Sequence, residues 1–176
     1  MRGAADSEEL FDVVDENDRI VAQALRHEVH ARGLRHRAVH VLVFNRSGEL
    51  YLQKRSMAKD TAAGLWDSSA SGHLGAGEEY DSCAIRELRE EIGVRVRRAP
   101  RRWLRLTACP ETGQEFVWVY RLETDRKITP NPAEIERGAW LAPRAIATLV
   151  RRRPAAYARS FRLIWRTLTD RGELPV

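Results

Sequence analysis

The chain has 176 residues, of which 43% are hydrophobic and 31% are charged, and its formal net charge is +5. This composition predicts a single folded domain with its own core, and it excludes disordered, collagen-like and multidomain chains. The longest strongly apolar run, 38–44, is far shorter than the roughly 20 residues of a membrane-spanning helix. Residues 1–10 show no secretory pattern. We therefore expect one domain over 1–176, located in the cytoplasm and without a membrane partner.

The cysteines and arginines bear on compartment and partners. Cys83 and Cys109 form neither a disulfide framework nor a zinc pattern, which agrees with a reducing compartment. Arginines are concentrated within 97–102 and 151–153. Because no aromatic side chains alternate with them, we expect solvated surfaces and no nucleic-acid partner. The sequence indicates nothing about oligomeric state.

The first part of the chain predicts two β-hairpins, one short helix and one further strand. Apolar runs separated by turn residues indicate the hairpins, and Gly33 ends the helix. The strand that begins near residue 38 is apolar almost throughout, so we expect burial on both of its faces. The predicted bounds are about 10–25 and 38–55 for the hairpins, 26–31 for the helix and 66–71 for the strand.

The rest of the chain alternates strands with longer helices. In the central helix Ala84, Ile85, Leu88 and Ile92 recur at helical spacing, and Gly93 is a natural end. The order of elements predicts an α+β fold with a mixed, mostly antiparallel sheet covered by helices. The predicted bounds are 79–92 for the central helix, 103–107, 116–122 and 140–141 for strands, and 143–151 and 156–168 for the C-terminal helices.

A cluster of carboxylates lies on the central helix. Glu87, Glu90 and Glu91 stand at positions i, i+3 and i+4, so they share one side of the helix. Like charges one turn apart destabilise a bare helix, and a cation would relieve this. Carboxylate oxygens are hard ligands, which favours Mg²⁺, with Mn²⁺ as the alternative ion. On charge pattern alone, a solvated face balanced by Arg86 and Arg89 is the simpler interpretation.

The longer arrangement around these carboxylates resembles the signature of the Nudix family. That signature is a glycine, five residues, a glutamate, seven residues, and then Arg-Glu-aliphatic-X-Glu-Glu-X-Gly-aliphatic. The stretch 72–94, called the box below, fills every specified position with Gly72, Glu78, Arg86, Glu87, Leu88, Glu90, Glu91, Gly93 and Val94. The resemblance implies the Nudix fold, a mixed sheet sandwiched by helices with a loop-helix-loop box.

The resemblance also implies a chemistry. In the family, the box carboxylates bind a divalent metal that activates water to attack a diphosphate linked to another group. It further implies that Arg86 orients the carboxylates, that Glu78 braces the loop and that the backbone carbonyl of Ser71 completes the metal site. We therefore expect a hydrolase of a nucleoside diphosphate derivative or another small organic diphosphate.

Candidate site residues also lie outside the box. Family members often add a further carboxylate, for which Glu134 is the first candidate and Glu136 the second. Lys54 and Arg55 end a predicted strand beside the box and are candidates for binding phosphate oxygens. For all four residues, an ordinary surface charge is an equally good interpretation.

Upstream of the box, the chain resembles isopentenyl-diphosphate isomerase and the hydrolases closest to it. The residues that carry this second resemblance are 11–18, His30, 36–40 and 64–66. The isomerase needs a cysteine two residues before a metal-binding histidine, and Ser71 stands at that place before His73. A serine hydroxyl titrates too high to replace the thiol near neutral pH. We therefore favour a hydrolase of the isomerase-like branch, with the isomerase and a catalytically silent binding protein as alternatives.

Three histidines of the second resemblance leave a question open. His30, His36 and His73 match the isomerase's second metal site, and imidazoles suit a transition metal. Structural or exposed histidines are the simpler interpretation. The isomerase also has a later pair of acidic positions, of which this chain keeps Glu115 and replaces the other with Gly113.

Overall fold

A computed structural model describes residues 9–174 of the chain. The main feature is a seven-stranded mixed sheet with helices on both faces, accompanied by a separate two-stranded sheet. This confirms the predicted α+β class. The ends of the predicted domain and most of the N-terminal stretch inspected for a secretory pattern lie outside the described residues. Within 9–174, no helix combines the length and the apolar character needed to cross a membrane.

The elements follow one another largely as predicted. The strands are β1 (Leu10–Val14), β2 (Ile20–Leu25), β3 (His36–Phe44), β4 (Leu50–Arg55), β5 (Trp66–Asp67), β6 (Ala70–His73), β7 (Arg101–Leu106), β8 (Glu115–Glu123) and β9 (Ile135–Leu141). The helices are α1 (Arg26–Arg32), α2 (Tyr80–Ile92), α3 (Pro143–Arg152) and α4 (Arg159–Asp170), with short 3-10 turns at Pro110–Thr112 and Pro154–Ala156. The main differences are that β9 is longer than the predicted short strand, that the strand predicted at 66–71 is divided into β5 and β6, and that α4 begins at Arg159 and not at 156.

The strand β3 lies in the centre of the sheet and is buried on both faces, as predicted. Val39, Val41 and Val43 face the core under α2, whereas Ala38 and Leu42 face the core under α3 and α4. One edge of β3 pairs with β8 in parallel along its whole length, and the other pairs with β6 in antiparallel orientation. β3 therefore contributes side chains to both hydrophobic cores, one on each face of the sheet.

The second predicted hairpin is present, but its two strands pair only next to the turn. A turn joins β3 to β4, yet the strands pair only at Phe44 and Leu50. Beyond this point the segment with β5 and β6 lies between the two strands: β5 pairs with β4, and β6 pairs with β3. The Ser69 hydroxyl stabilises this split: it accepts the Val43 N–H at 2.8 Å and donates to the Tyr51 carbonyl at 2.5 Å.

The helix α2 ends at Ile92, directly before Gly93, as predicted from the sequence. Gly93 adopts the left-handed conformation with φ of 70°; its N–H donates to the Arg89 carbonyl at 3.2 Å, and the Val94 N–H donates to the Leu88 carbonyl at 2.9 Å. Ala84, Leu88 and Ile92 are buried in the core against β3, and Ile85 is half-buried. This orientation sets the direction in which the carboxylates of the box project.

Candidate active site

A cavity of about 810 Å³ lies between the sheet, the box and the start of α4. Of the residues that the sequence singles out for the site, seven line this cavity: Arg55, Ser71, Arg86, Glu87, Glu90, Glu91 and Glu134. They come from strands, loops and one helix that are far apart in the chain. The fold therefore brings most of the predicted site residues to one place.

The register of β4 separates the two predicted phosphate-binding residues. Successive side chains of a strand point to opposite sides. Arg55 faces the cavity, whereas the Lys54 ammonium bonds both carboxylate oxygens of Glu136 at 2.9 Å. A role for Lys54 at the substrate stays a prediction, and this geometry does not support it.

Lys59 is a cavity residue that sequence reasoning missed. It lies in the loop between β4 and β5, lines the cavity, and places its ammonium 2.5 Å from Oε2 of Glu134. A single lysine in a polar loop carries no sequence signal. Only the folding of that loop against the turn before β9, where Glu134 lies, brings the two charges together.

Glu91 is the most enclosed carboxylate of the box, with 3% of its surface exposed. Its Oε2 accepts hydrogen bonds from the Ser71 N–H at 2.9 Å and from Nε2 of Gln53 at 2.8 Å. Burial raises the pKa of Glu91 to about 6, although Arg55 and the two hydrogen bonds oppose the increase. A carboxylate in this setting is stabilised in its charged form by a nearby cation.

Glu87 is buried next to Glu91 and packs on Gly72. Its Oε1 lies 2.5 Å from Nη1 of Arg86. Burial, followed by repulsion from Glu91, raises the pKa of Glu87 to about 8. Glu90, in contrast, is exposed and pairs with Arg89 at 2.8 Å. The three carboxylates that were predicted to share one side of the helix therefore differ in burial: Glu87 and Glu91 are buried, and Glu90 is exposed.

Arg86 connects the glycine loop to the helix. Its guanidinium bonds both oxygens of Glu78 at 2.8 and 2.9 Å, and it also donates to the backbone carbonyl of His73 at 3.0 Å. Glu78 in turn accepts the Gly75 N–H at 3.0 Å. Two-pronged arginine-carboxylate pairs fix geometry as well as charge. Arg86 and Glu78 therefore hold Glu87 and the loop in one arrangement.

The three histidines of the second resemblance meet at the wall of the cavity, which His30 and His73 also line. His30, His36 and His73 each offer one ring nitrogen, and these atoms lie within 4.8 Å of one another. Oε1 of Glu115 lies 2.9 Å from Nε2 of His73 and 3.7 Å from Nε2 of His36.

The chemistry of this histidine cluster fits a metal ion. Nε2 of His30 and Nε2 of His36 are buried and have no hydrogen-bond partner among the described residues. Burial lowers the pKa of all three imidazoles, to about 4 for His36. Neutral imidazoles with unused lone pairs are the donors that transition metals prefer.

A second polar group that sequence reasoning missed forms part of the cavity wall. Nδ1 of His40 lies 2.7 Å from the Ser68 hydroxyl and 3.7 Å from Oδ1 of Asp67. Asp67 also lies 3.8 Å from Nη1 of Arg55. In the sequence, His40 interrupts an apolar strand and belongs to the stretch 36–40 of the second resemblance, but neither observation assigns it a role. Within the described part of the chain, no Phe, Tyr or Trp side chain lines the cavity.

This chain is similar to known proteins over most of its length. The NUDIX domain model matches residues 34–163. An uncharacterized Nudix hydrolase of Streptomyces coelicolor is 35% identical over 137 residues, which is 76% of this chain and 73% of that protein. An isopentenyl-diphosphate Delta-isomerase of Paenarthrobacter aurescens is 31% identical over 148 residues, with 80% and 79% covered. A crystal structure of a Deinococcus radiodurans protein has a TM-score of 0.73 at 32% identity, and the match covers 85% of this chain and 91% of that one.

Proposed function

The chain belongs to the NUDIX domain family, in the branch that resembles isopentenyl-diphosphate isomerase, and on this basis we propose that it is a metal-dependent hydrolase of diphosphate bonds. Its substrate would be a nucleoside diphosphate derivative or another small organic diphosphate. The observation that carries the proposal is the buried pair Glu87 and Glu91 at the wall of a cavity. Two buried carboxylates side by side are costly without a cation to neutralise them.

The residues of the box supply a ligand set for Mg²⁺ or Mn²⁺. Glu87, Glu90, Glu91 and the backbone carbonyl of Ser71 would hold the ion, with Glu134 as the carboxylate from outside the box. When bound, such an ion supplies Lewis-acid activation of water and neutralises diphosphate charge. Arg86 holds Glu87 in position, so the protein contributes a site that is arranged before the substrate arrives.

Arg55 and Lys59 are the proposed phosphate-binding cations. Both line the cavity, where Nε of Arg55 donates to the Thr61 carbonyl at 3.1 Å. Lys59 reaches Glu134, so a cation and a candidate metal ligand stand side by side. A diphosphate carries several negative oxygens, and these two cations would orient them toward the box.

The histidine cluster supports a second ion as part of the same proposal. His30, His36, His73 and Glu115 would hold a transition metal such as Zn²⁺ or Mn²⁺, because their donors converge and two of the imidazoles have a buried ring nitrogen without a partner among the described residues. A bound ion would stabilise the α1, β3, β6 and β8 segments that contribute these side chains.

Isomerase activity is the first alternative, and Ser71 argues against it. Ser71 lines the cavity two residues before His73, at the place where the isomerase has its cysteine. Its hydroxyl is a poor proton donor or acceptor for carbon near neutral pH. A silent binding protein is the second alternative, and the presence of every box carboxylate argues against that.

A substrate panel tests the proposed function. Release of phosphate, pyrophosphate and nucleoside monophosphate is measured over nucleotide diphosphate compounds and isopentenyl diphosphate, with Mg²⁺, Mn²⁺ or a chelator. The matched variants are Glu91→Gln and Glu136→Gln, since Glu136 is a carboxylate outside the cavity. Metal-dependent turnover that only Glu91→Gln removes would support the proposal. Normal turnover by Glu91→Gln, or conversion of isopentenyl diphosphate to its isomer, would contradict it.

A further inference from the structure

Gln53 is a buried polar residue whose role the box does not explain. It lies on β4 with 0% of its surface exposed, and its backbone pairs with Asp67 in β5 and with Gly138 in β9. The strand is therefore held on both edges, and the carboxamide is fixed next to α2. A buried primary amide is costly unless its donors and its acceptor find partners.

The orientation of this amide follows from its neighbour. Nε2 of Gln53 lies 2.8 Å from Oε2 of Glu91. An ionised carboxylate only accepts hydrogen bonds, so the NH₂ end of the amide must face it. The Ser71 N–H donates to the same oxygen at 2.9 Å. Two donors thus converge on Oε2 of Glu91.

The other end of the amide is unpaired. Oε1 of Gln53 is buried and has no hydrogen-bond donor in the described part of the chain. Buried polar atoms are nearly always satisfied, and an exception points to a water or an ion that completes the site. This oxygen lies on the same carboxamide that contacts Glu91, so a water that satisfies it would lie near that carboxylate.

We infer that Gln53 is a positioning residue for metal binding by Glu91. Together with the Ser71 N–H it occupies Oε2, which directs Oε1 of Glu91 to the ion, and its own Oε1 accepts a hydrogen bond from a water that accompanies the ion. This inference rests on the proposed function. Groups that hold a metal ligand in place commonly matter almost as much as the ligand.

The residue type agrees with this role. A glutamate at position 53 would add a third buried negative charge beside Glu87 and Glu91. A lysine would compete with the ion for the carboxylates. An apolar residue would leave the Ser71 N–H as the single hydrogen-bond donor to Glu91 among residues 9–174. A neutral side chain that both donates and accepts meets every requirement.

Mn²⁺ binding without substrate tests the inference. Calorimetric titration is carried out on the wild type, Gln53→Met, Glu91→Gln and the control Leu52→Met. Leu52 is the neighbouring residue of β4, faces the other core, and its replacement conserves volume. Since two ion sites are proposed, the affinity to compare is that of the Mn²⁺ binding step that Glu91→Gln weakens. We expect Gln53→Met to weaken that step by about 10-fold to 100-fold, while Leu52→Met leaves it unchanged.

The outcomes separate this inference from the function on which it rests. Unchanged Mn²⁺ affinity in Gln53→Met, with a loss in Glu91→Gln, would overturn the inference alone. Unchanged affinity in both variants would overturn the metal-binding role of Glu91 and the inference with it. Gln53→Asn withdraws the carboxamide by one methylene group and keeps its polarity. The same weakening in this second variant is expected, and it decides the question if Gln53→Met does not fold.

Discussion

The carboxylate of Glu87 occupies the space in which a side chain at position 72 would lie. A Cβ atom added to Gly72 would overlap Oε1 and Cδ of Glu87. Gly72 is not among the residues with positive φ, so the backbone alone would permit alanine. The first glycine of the box is therefore required because β6 brings it directly beneath a buried carboxylate of α2.

Gly72→Ala is expected to displace Glu87 and to impair metal binding. The added methyl group forces the carboxylate away or shifts β6, an overpacking that costs about 1–3 kcal/mol of stability. We expect weaker Mn²⁺ binding and a loss of turnover, measured by calorimetry and by steady-state kinetics. Gly75→Ala is the matched control, since its Cβ would meet no atom within 4 Å. Equal behaviour of the two variants would contradict the prediction.

Arg86→Lys is expected to reduce turnover by about 10-fold to 100-fold, as losses of groups that orient metal ligands do. An ammonium cannot reproduce the two-pronged contact of the guanidinium with Glu78 while also reaching Glu87. The measurement is kcat with saturating Mg²⁺. Arg89→Lys serves as control, because Arg89 is exposed and pairs with Glu90. Wild-type turnover in Arg86→Lys would remove Arg86 from the proposed arrangement.

The free energy of unfolding of the metal-free protein is expected to depend on pH through the ionisation of Glu87. Its pKa is raised from the ordinary 4.5 to about 8, so between these values the folded chain binds more protons than the unfolded chain. The contribution of Glu87 to the free energy of unfolding is therefore largest at low pH and is lost as the pH rises through about 8.

Melting temperatures with a chelator test this pH dependence. Between pH 6.5 and 8, the wild type is expected to lose stability relative to Glu87→Gln, whose side chain does not ionise. The three clustered histidines have pKa values below their ordinary 6.5, so their titration changes the stability only below this pH window. Parallel melting curves for the two proteins would contradict the prediction. Added Mg²⁺ should reverse the loss, since it favours the ionised carboxylate.

Lys59→Gln and Lys54→Gln distinguish two lysines that the sequence does not separate. Lys59 lines the cavity, whereas Lys54 pairs with Glu136 on β9. We expect Lys59→Gln to raise KM for the diphosphate substrate about 10-fold, the loss of roughly one charge-assisted hydrogen bond. Lys54→Gln should leave KM unchanged. The opposite pattern would place the phosphate on the other side of β4.

Co²⁺ provides a spectroscopic test of the histidine cluster. With four protein donors, the wild type is expected to bind Co²⁺ with visible absorption bands, and Zn²⁺ should displace it. His73→Gln removes one of the three converging imidazoles and should abolish the bands. His27→Gln, at a histidine outside the cluster, should retain them. Bands that persist in His73→Gln would show that the ion binds elsewhere.

Local spacing along the chain was enough to predict the helix of the box. Glycine at the end of α2, the apolar stripe from Ala84 to Ile92 and the positions of Glu87 and Glu91 all follow from the periodicity of one helix. The family assignment rests on the same local information, because the motif is contiguous in sequence. The burial of β3 on both faces was predictable in the same way, from a strand that is apolar almost throughout.

Only the tertiary structure decided which side chains meet at the cavity. The opening of the β3–β4 hairpin, the side of β4 on which Arg55 lies and the contact of Gln53 with Glu91 depend on strand register and on the insertion of β5 and β6. The three histidines converge from three different elements. Periodicity shows which face of an element is buried, but contacts between distant segments are set by how those faces pack together.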